Sequence, residues 1–145
     1  MSKIVPVEDA ATVATCFVLM RQLRPHLGSA AEFVARWQSQ SADGYRLLVI
    51  HEGGKPEALA GYRLQENPVH GRHIYLDDLV TDQGRRSRGL GQRLLEHVQE
   101  IGRAAGCVRL SLDTPLSNAL GHRFYFHQGM LASALRFNIP LTGVE

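Results

Sequence analysis

The chain contains little cysteine, with Cys16 and Cys107 as its two among 145 residues. Both lie inside apolar patterns, so we predict buried, reduced thiols, because a disulfide framework needs a denser use of cysteine. The chain also lacks an apolar run of the roughly 18 residues that a membrane-spanning helix requires. Residues 1–6 lack the charged and apolar tracts of a signal peptide. These absences predict a cytoplasmic protein that does not bind a membrane.

The chain also lacks an excess of charge of either sign, since its formal net charge is +2. This value is too small for a general nucleic-acid binder, whose affinity comes from many phosphate contacts. The positive charge is instead concentrated between residues 85 and 93, so we expect no nucleic-acid partner. No internal repeat or linker divides the sequence, and 145 residues can bury a real core, so we predict one domain over residues 1–145.

Patterns that bind metals are missing as well, although the chain has seven histidines. His122 and His127 are five residues apart, which is a poor spacing for one face of a helix. His70 and His73 lie in or beside a loop without a cysteine or carboxylate at the usual ligand spacing. We therefore expect structural or surface histidines and no metal cofactor.

The apolar periodicity predicts helices and strands in the order ααβββαβαβ(β). This order fits an α/β (mixed α+β) protein, with one mixed sheet and helices on both of its faces. The unit from residue 73 to residue 113 is strand–helix–strand, which we expect to form a right-handed parallel crossover. The predicted helices are 5–20, 30–39, 92–105 and 118–127, and the predicted strands are 45–51, 57–64, 73–81, 107–113 and two short strands within 130–140.

A glycine-containing turn with the sequence RSRGLG, at residues 86–91, follows the third predicted strand and opens the central helix. The first turn of a helix leaves N–H groups without partners and carries a partial positive charge, so it binds anions. Gly89 and Gly91 let a phosphate approach the main chain, and the neighbouring arginines add charged donors. A nucleotide hydrolase would need GxxxxGK[ST] and a dinucleotide fold GxGxxG, and this turn matches neither. The alternative is an ordinary loop flanked by solvated arginines.

Two segments together resemble the GCN5-related N-acetyltransferase (GNAT) family. The first is the run DDLVTD at residues 77–82 followed by residues 86–91, which is similar to the acetyl-CoA motif [QR]xxGx[GA] of that family. The second is Asn118 with Phe124-Tyr125 and then Gly129-Met130, which resembles the family's "N…FY…GF" helix and strand. The similarity covers roughly residues 45–140. Ser87 replaces a frequent glycine and Met130 a usual phenylalanine.

The resemblance implies the GNAT fold, a central splayed mixed β-sheet flanked by helices, and acetyl-CoA as co-substrate. It implies that Leu79, Val80 and Thr81 present main-chain groups to the pantetheine arm and the thioester. It also implies that Asn118 touches this arm and that Tyr125 stands near the sulfur. The N–H groups implied to hold the pyrophosphate are those of Arg86, Ser87, Arg88, Gly89, Leu90 and Gly91.

Acetyl transfer to an amine benefits from a general acid, and Tyr125 fits this role. A phenol with a pKa of about 10 is protonated at neutral pH and can give its proton to the departing thiolate. The alternative is a tyrosine packed in the core beside Phe124 and Phe126.

Asp77 and Asp78 are the candidates for the base that takes the proton of the amine. Neighbouring residues on a strand point to opposite faces, which groups Asp77 with Leu79 and Asp78 with Val80. Carboxylates at the position of Asp77 often act as base in similar enzymes. The alternative, favoured for Asp78, is a carboxylate that caps a loop or pairs with an arginine. A local bulge would overturn this argument from strand parity.

The predicted function is an acetyl-CoA-dependent N-acetyltransferase that acts on a primary amine by direct attack in a ternary complex. The resemblance implies that residues 24–28 and 66–72 choose the acceptor, and they contain no obvious acidic funnel. A small-molecule amine is favoured, and a protein N-terminus or lysine stays open. A non-catalytic module that binds acyl-CoA is the competing class. Similar enzymes are frequently dimers, so a homodimer is also open.

Overall fold

The computed structural model of the protein describes residues 3–85 and 88–143. The chain divides into two compact units, Met1–Leu112 and Asp113–Glu145. The first unit contains the strands β1 (Ile4–Val7), β2 (Arg46–Glu52), β3 (Lys55–Asn67), β4 (Gly71–Thr81) and β5 (Leu110–Ser111), the helices α1 (Ala10–Thr15), α2 (Phe17–Leu23), α3 (Ala30–Ala42) and α4 (Leu90–Ala104), and a short 3-10 turn (Gln83–Arg85). The second unit contains the helix α5 (Ala119–His127).

One sheet of five strands forms the centre of the first unit, in the order β1-β2-β3-β4-β5. The pairs β1–β2, β2–β3 and β3–β4 are antiparallel, and the pair β4–β5 is parallel. A mixed sheet with a parallel connection through α4 is therefore confirmed. The hairpin between β2 and β3 turns at Gly53 and Gly54, whose positive φ angles of 59° and 77° suit glycine.

The start of the chain differs from the prediction of one helix over residues 5–20. Residues 4–7 instead form β1, which pairs with β2 and includes the β-branched residues Ile4, Val5 and Val7. The helical segment begins later because the side chain of Asp9 accepts a hydrogen bond from the N–H of Thr12 and so caps α1. A break at Cys16 then separates α1 from α2.

The helices cover both faces of the sheet, as predicted. On one face, side chains from the α1–α3 region form a core with sheet residues such as Leu47, Leu59 and Val80. The helix α4 packs against β3 and β4 from the other face, where Gly102 lies close to Ile74. Cys16 is fully buried in the first core, and burial raises the pKa of its thiol to about 11. Cys107 is half-buried, so the prediction of burial is wrong for this residue, and both thiols are free.

The predicted strand over residues 107–113 is reduced to β5. Cys107 still donates its N–H to the carbonyl of Gly102 and so belongs to the end of α4, where Gly106 takes a φ of 78°. Val108 and Arg109 exchange single hydrogen bonds with β4 before regular pairing begins. Strand β5 therefore begins at Leu110 and not at Cys107, because Cys107 is still bonded to the end of α4.

The Asp113–Glu145 unit lacks the two strands predicted within residues 130–140. The helix predicted over residues 118–127 is confirmed as α5, which Asn118 caps, but residues 130–140 adopt no regular secondary structure. Apolar residues do alternate there, at Leu131, Leu135, Phe137 and Ile139, and all four are exposed. An alternating pattern forms a strand only beside a partner strand, and among the described residues of this unit there is none.

Candidate active site

The glycine turn leads into α4 as the sequence indicates. Gly89 is the N-cap of α4, has a φ of 75° and offers no side chain to the N–H groups of the first turn. Residues with a Cβ rarely adopt this left-handed backbone. Arg88 is exposed, and its Nη1 lies 3.9 Å from Oε2 of Glu52. Arg86 and Ser87, which the resemblance assigns to the pyrophosphate, lie outside the described residues.

An open strand edge lies next to this helix start in the sequence. Among the described residues, β5 pairs with β4 at Ile74 and Tyr75 alone, so β4 has no β5 partner from Leu76 to Thr81. Leu79, Val80 and Thr81 pair on their other side with Ala60, Leu59 and Ala58 of β3. The side chain of Val80 is buried in the core, and those of Leu79 and Thr81 are half-buried. The main-chain groups on the open edge are placed to bind an extended ligand.

A β-bulge interrupts β4 within this edge. Gly61 pairs with Asp78 and Tyr62 pairs with Leu76, so Asp77 is an extra residue without a partner in β3. The parity argument, which placed Asp77 and Asp78 on opposite faces, is therefore wrong. Both carboxylates belong to one group of charges, because each of them raises the pKa of both Tyr45 and Arg63.

Asp77 forms an ion pair with Arg63 of β3. Nε of Arg63 donates to Oδ2 at 2.9 Å and Nη2 donates to Oδ1 at 2.7 Å, which is the paired geometry that suits a guanidinium and a carboxylate. The hydrogen bonds from Arg63 to Asp77 raise the pKa of the guanidinium further. The guanidinium also lies over the ring of Tyr75, 5.5 Å from its centre.

Asp78 accepts hydrogen bonds from two residues that are far away in the sequence. Nε of Arg24 donates to Oδ1 at 2.9 Å, and the hydroxyl of Tyr45 donates to Oδ2 at 2.7 Å. Burial first, and then the charge of Asp78, raise the pKa of Tyr45 well above its usual value. The hydroxyl of Tyr45 therefore stays protonated and donates at neutral pH.

Asn118 and Tyr125 belong to the Asp113–Glu145 unit. The side chain of Asn118 is used locally, since Oδ1 accepts from the N–H of Gly121 and Nδ2 donates to Oγ1 of Thr114, both at 3.1 Å. The Tyr125 ring is half-buried and packs edge-to-face on Phe124, with 5.3 Å between ring centres. Burial raises the pKa of Tyr125 above 10, so its hydroxyl is protonated at neutral pH.

Two of the histidines have local hydrogen-bond partners. A ring nitrogen of His122 lies 2.8 Å from the carbonyl of Pro115, and one of His73 lies 3.2 Å from that of Gly71. Among residues 3–85 and 88–143, no three His, Cys, Asp or Glu side chains are grouped closely enough to hold a metal ion. None of the helices described here is both long and apolar enough to span a bilayer.

Sequence reasoning gave Tyr45, Gly61 and Arg63 no role and placed Arg24 only in the acceptor segment 24–28. These four residues surround the two aspartates and come from three separate parts of the chain: the end of α2, the start of β2 and the middle of β3. A pair of adjacent aspartates within an apolar strand was the one available signal, because buried carboxylates need partners.

Comparison with known proteins establishes the class of this chain. The sequence profile described as "Acetyltransferase (GNAT) family" matches residues 15–130. This match covers most of the chain, so the chain belongs to the GNAT family. It is an N-acetyltransferase, as its two motifs predicted, and its mixed sheet with flanking helices is the fold of that family.

Individual relatives agree with this assignment. The "Uncharacterized N-acetyltransferase YhdJ" of Bacillus subtilis (strain 168) is 30% identical over 112 residues, covering 77% of this chain and 79% of that protein. A "Probable glucosamine 6-phosphate N-acetyltransferase 2" of Oryza sativa subsp. japonica is 31% identical over 93 residues, covering 59% of this chain and 56% of that protein. The structure of AAC(6')-Iy with the bisubstrate analog CoA-S-monomethyl-acetylneamine has the same fold, with a TM-score of 0.82 and 19% identity over 97% of this chain and 98% of that one.

Proposed function

We propose that this protein transfers the acetyl group of acetyl-CoA to a primary amine of a small molecule, by direct attack of the amine in a ternary complex. The observation that carries the proposal is the open edge of β4 followed by the glycine-capped start of α4. The strand edge offers main-chain groups to an extended ligand, and the helix start offers N–H groups to an anion. Coenzyme A has both parts, a pantetheine arm and a pyrophosphate.

The cofactor-binding roles follow from this match. Leu79, Val80 and Thr81 pair through their main chain with the pantetheine arm and the thioester. Asn118 supports the same arm. The pyrophosphate is held by main-chain N–H groups of Arg86, Ser87, Arg88, Gly89, Leu90 and Gly91. Gly89 supports this role because it has no side chain that would occupy the anion's place.

The reaction joins the amine nitrogen to the acetyl carbon and breaks the bond from that carbon to sulfur. Tyr125 donates the proton that the departing thiolate needs, and its raised pKa keeps that proton in place at neutral pH. The neutral amine loses one proton as the amide forms, and this proton restores the Tyr125 hydroxyl through solvent, so the products are the N-acetyl amine and CoA. The proton that an ammonium loses before attack is a separate one, which is released to solvent. Because the pKa of Tyr125 lies above 10, we expect kcat to fall on this account only in still more alkaline solution.

Asp77 and Asp78 are the two candidates for the group that removes the amine proton, since an alkyl ammonium has a pKa near ~10.4. We assign the role to Asp77, whose side chain is 20% exposed, against 12% for Asp78. Both oxygens of Asp77 accept hydrogen bonds from Arg63, so an intervening water would carry the proton. In Asp77→Asn, raising the pH should then restore part of the lost kcat, because the amine loses its proton unaided.

The acceptor is a small molecule in this proposal. The rice relative is named for glucosamine 6-phosphate, and the AAC(6')-Iy structure holds an acetylneamine analog. The charges around the β4 bulge agree, because Asp77 and Asp78 are each paired with an arginine and leave no net negative charge to attract a polycation.

The test is release of CoA thiol and formation of N-acetyl product from acetyl-CoA with a panel of amines. We expect turnover with a small amine, and a loss of about 100-fold in kcat for Tyr125→Phe. Tyr62→Phe, which removes the hydroxyl of a buried tyrosine elsewhere in the fold, serves as the control and should keep the activity. Tight CoA binding without release on any amine would instead identify a non-catalytic binding module. Acetylation of peptide N-termini or lysines in place of small amines would reassign the acceptor.

The homodimer and the cytoplasmic location also stay predictions. Sedimentation velocity at several protein concentrations would decide the first, and fractionation of cells would decide the second.

A further inference from the structure

The β4 bulge requires support from outside the sheet. Asp77 has no partner in β3, so its main-chain carbonyl needs a donor from elsewhere. Nη2 of Arg24 supplies that donor at 2.7 Å. Arg24 therefore replaces a hydrogen bond that a regular strand would have formed.

The same guanidinium also holds the next residue. Its Nε lies 2.9 Å and its Nη2 2.8 Å from Oδ1 of Asp78. One planar fork thus binds the carbonyl of Asp77 and the carboxylate of Asp78 together, in a fixed geometry that the three rotatable donors of a lysine ammonium do not reproduce. This contact fixes the direction of the main chain at the point where the open edge begins.

Tyr45 fixes Asp78 from a second side. The Tyr45 ring is buried beside Gly61, the β3 partner of Asp78, so closely that a Cβ at position 61 would lie 2.0 Å from the Tyr45 hydroxyl oxygen. The hydroxyl donates to Oδ2 of Asp78 at 2.7 Å. The carboxylate of Asp78 is therefore held by both of its oxygens and has little freedom to turn.

The end of α2 also contacts the far end of the open edge. Nε2 of Gln22 donates to Oδ1 of Asp82 at 3.0 Å, and Oε1 of Gln22 accepts from the N–H of Gln83 at 3.2 Å. Arg24 thus contacts β4 immediately before Leu79–Thr81, and Gln22 contacts the chain immediately after it. We call these two residues the α2 clamp.

We propose that the α2 clamp, and Arg24 above all, is a positioning device that aligns the open edge of β4 with the thioester during acetyl transfer. This inference rests on the proposed function and gives Asp78 the role of anchor for Arg24. The edge lacks a β5 partner from Leu76 onward, so the α2 clamp restrains a segment that is paired with β3 alone. A displacement of about 1 Å at a reacting group can cost on the order of 100-fold in rate, so a loosened edge should lower kcat.

A purely structural ion pair predicts a different result. The side chain of Asp78 is 12% exposed, so loss of its charged partner should lower stability, although the Tyr45 hydroxyl still donates to Oδ2. If the ion pair is structural alone, Arg24→Ala should melt at a lower temperature but keep the wild-type kcat at temperatures where it is folded. The clamp instead predicts a lower kcat in the folded variant.

The experiment compares Arg24→Ala and Arg24→Lys with Arg36→Ala, which removes an exposed ion pair between Arg36 and Glu32 within α3. For Arg24→Ala we expect kcat to fall about 10- to 100-fold while KM for acetyl-CoA changes less than about threefold. Arg24→Lys should lie between this variant and the wild type, and Arg36→Ala should match the wild type. A kcat within twofold of the wild type in Arg24→Ala would overturn the proposal, and so would an equal loss in Arg36→Ala.

Hydrogen exchange gives a second readout that does not depend on activity. In Arg24→Ala, amides in residues 76–82 should exchange about tenfold faster, while those of β2 stay unchanged. Unchanged exchange in residues 76–82 would overturn the clamp. If the wild type acetylates no amine, the proposed function fails, but the exchange result still decides whether the clamp exists.

Discussion

At the scale of single residues, the site consists of charges that already have partners. Arg24 and Tyr45 bind Asp78, and Arg63 binds Asp77, so both carboxylates have hydrogen-bonding partners of their own. Pairing of this kind offsets the cost of taking a carboxylate out of water. It also makes the position of each side chain depend on its partner.

Replacement of Tyr45 by phenylalanine tests this dependence through the pH profile of stability. The pKa of Tyr45 is raised in the folded protein, whereas the unfolded chain has a value of about 10. The contribution of Tyr45 is therefore fully present below about pH 10 and is lost as the pH rises above that value. At neutral pH, Tyr45→Phe should lower the free energy of unfolding by about 1–3 kcal/mol, because a hydrogen bond to a charged group is lost.

Denaturant unfolding at pH 7 to 11 gives the measurement. Cys16, whose pKa is raised to about 11, weakens both proteins alike in alkaline solution. The difference between wild type and Tyr45→Phe should therefore shrink above pH 10. A difference that stays constant up to pH 11 would contradict the raised pKa of Tyr45.

At the scale of elements, β4 departs most from regular geometry. It pairs with β3 along its whole length, carries a bulge at Asp77 and meets β5 at two residues. The bulge, the open edge and the contacts from Gln22 and Arg24 all lie between Leu76 and Gln83. In our proposal β4 binds the co-substrate. Its β3 side is paired, and its other side has no β5 partner from Leu76 to Thr81.

Gly61→Ala tests the packing across the bulge. The new Cβ would lie 2.0 Å from the hydroxyl oxygen and 2.5 Å from Cζ of the buried Tyr45. Tyr45 must move and lose its bond to Asp78, so we expect a loss of about 1–3 kcal/mol in unfolding free energy and a lower kcat.

Gly102→Ala is the matched control. Its Cβ would meet Cγ2 of Ile74 at 3.0 Å, a tight but apolar contact inside α4. The gain in helix propensity, about 1 kcal/mol, should offset most of this strain. Urea denaturation of both variants distinguishes them, and equal stabilities would refute the close fit of Tyr45 on Gly61.

At the scale of the whole molecule, the buried core belongs to Met1–Leu112. All fully buried side chains among the described residues lie in this unit, whereas none of the described side chains in Asp113–Glu145 is buried. A segment below about 40 residues rarely folds through a core of its own. The co-substrate site proposed at β4 and α4 therefore depends on the stability of the larger unit.

Binding of acetyl-CoA should raise the stability of the whole protein. At a free concentration 100 times Kd, linkage predicts about 2.7 kcal/mol, which corresponds to an increase of about 5–10 °C in Tm for a protein of this size. Gly89→Val should lose most of this shift, because the φ of 75° is strained for valine and the helix start would change.

Differential scanning calorimetry with and without acetyl-CoA makes the comparison. Gly53→Val places the same strain, at a φ of 59°, in the hairpin between β2 and β3, and should keep the shift in Tm. If acetyl-CoA raises Tm equally in Gly89→Val and in the wild type, the start of α4 is not part of the binding site.

Much of the architecture was determined by the sequence alone. The helices predicted over residues 30–39 and 118–127 are present as α3 and α5, and each begins at a side-chain cap, Ser29 and Asn118 respectively. The two motifs predicted the GNAT family and its N-acetyltransferase activity, because glycine at a helix start and the spacing of an N…FY…G segment are local properties. Local hydrogen bonds and periodicity can be read from neighbouring residues.

Tertiary structure alone decided the surroundings of the two aspartates. The bulge at Asp77 arises from the register between β3 and β4, and no local sequence pattern in either strand predicts it. Arg24 and Tyr45 reach Asp78 across 54 and 33 residues of chain, and residues 130–140 alternate like a strand without becoming one. Each of these outcomes depends on a partner that is remote in the sequence, which is why periodicity and spacing could not determine it.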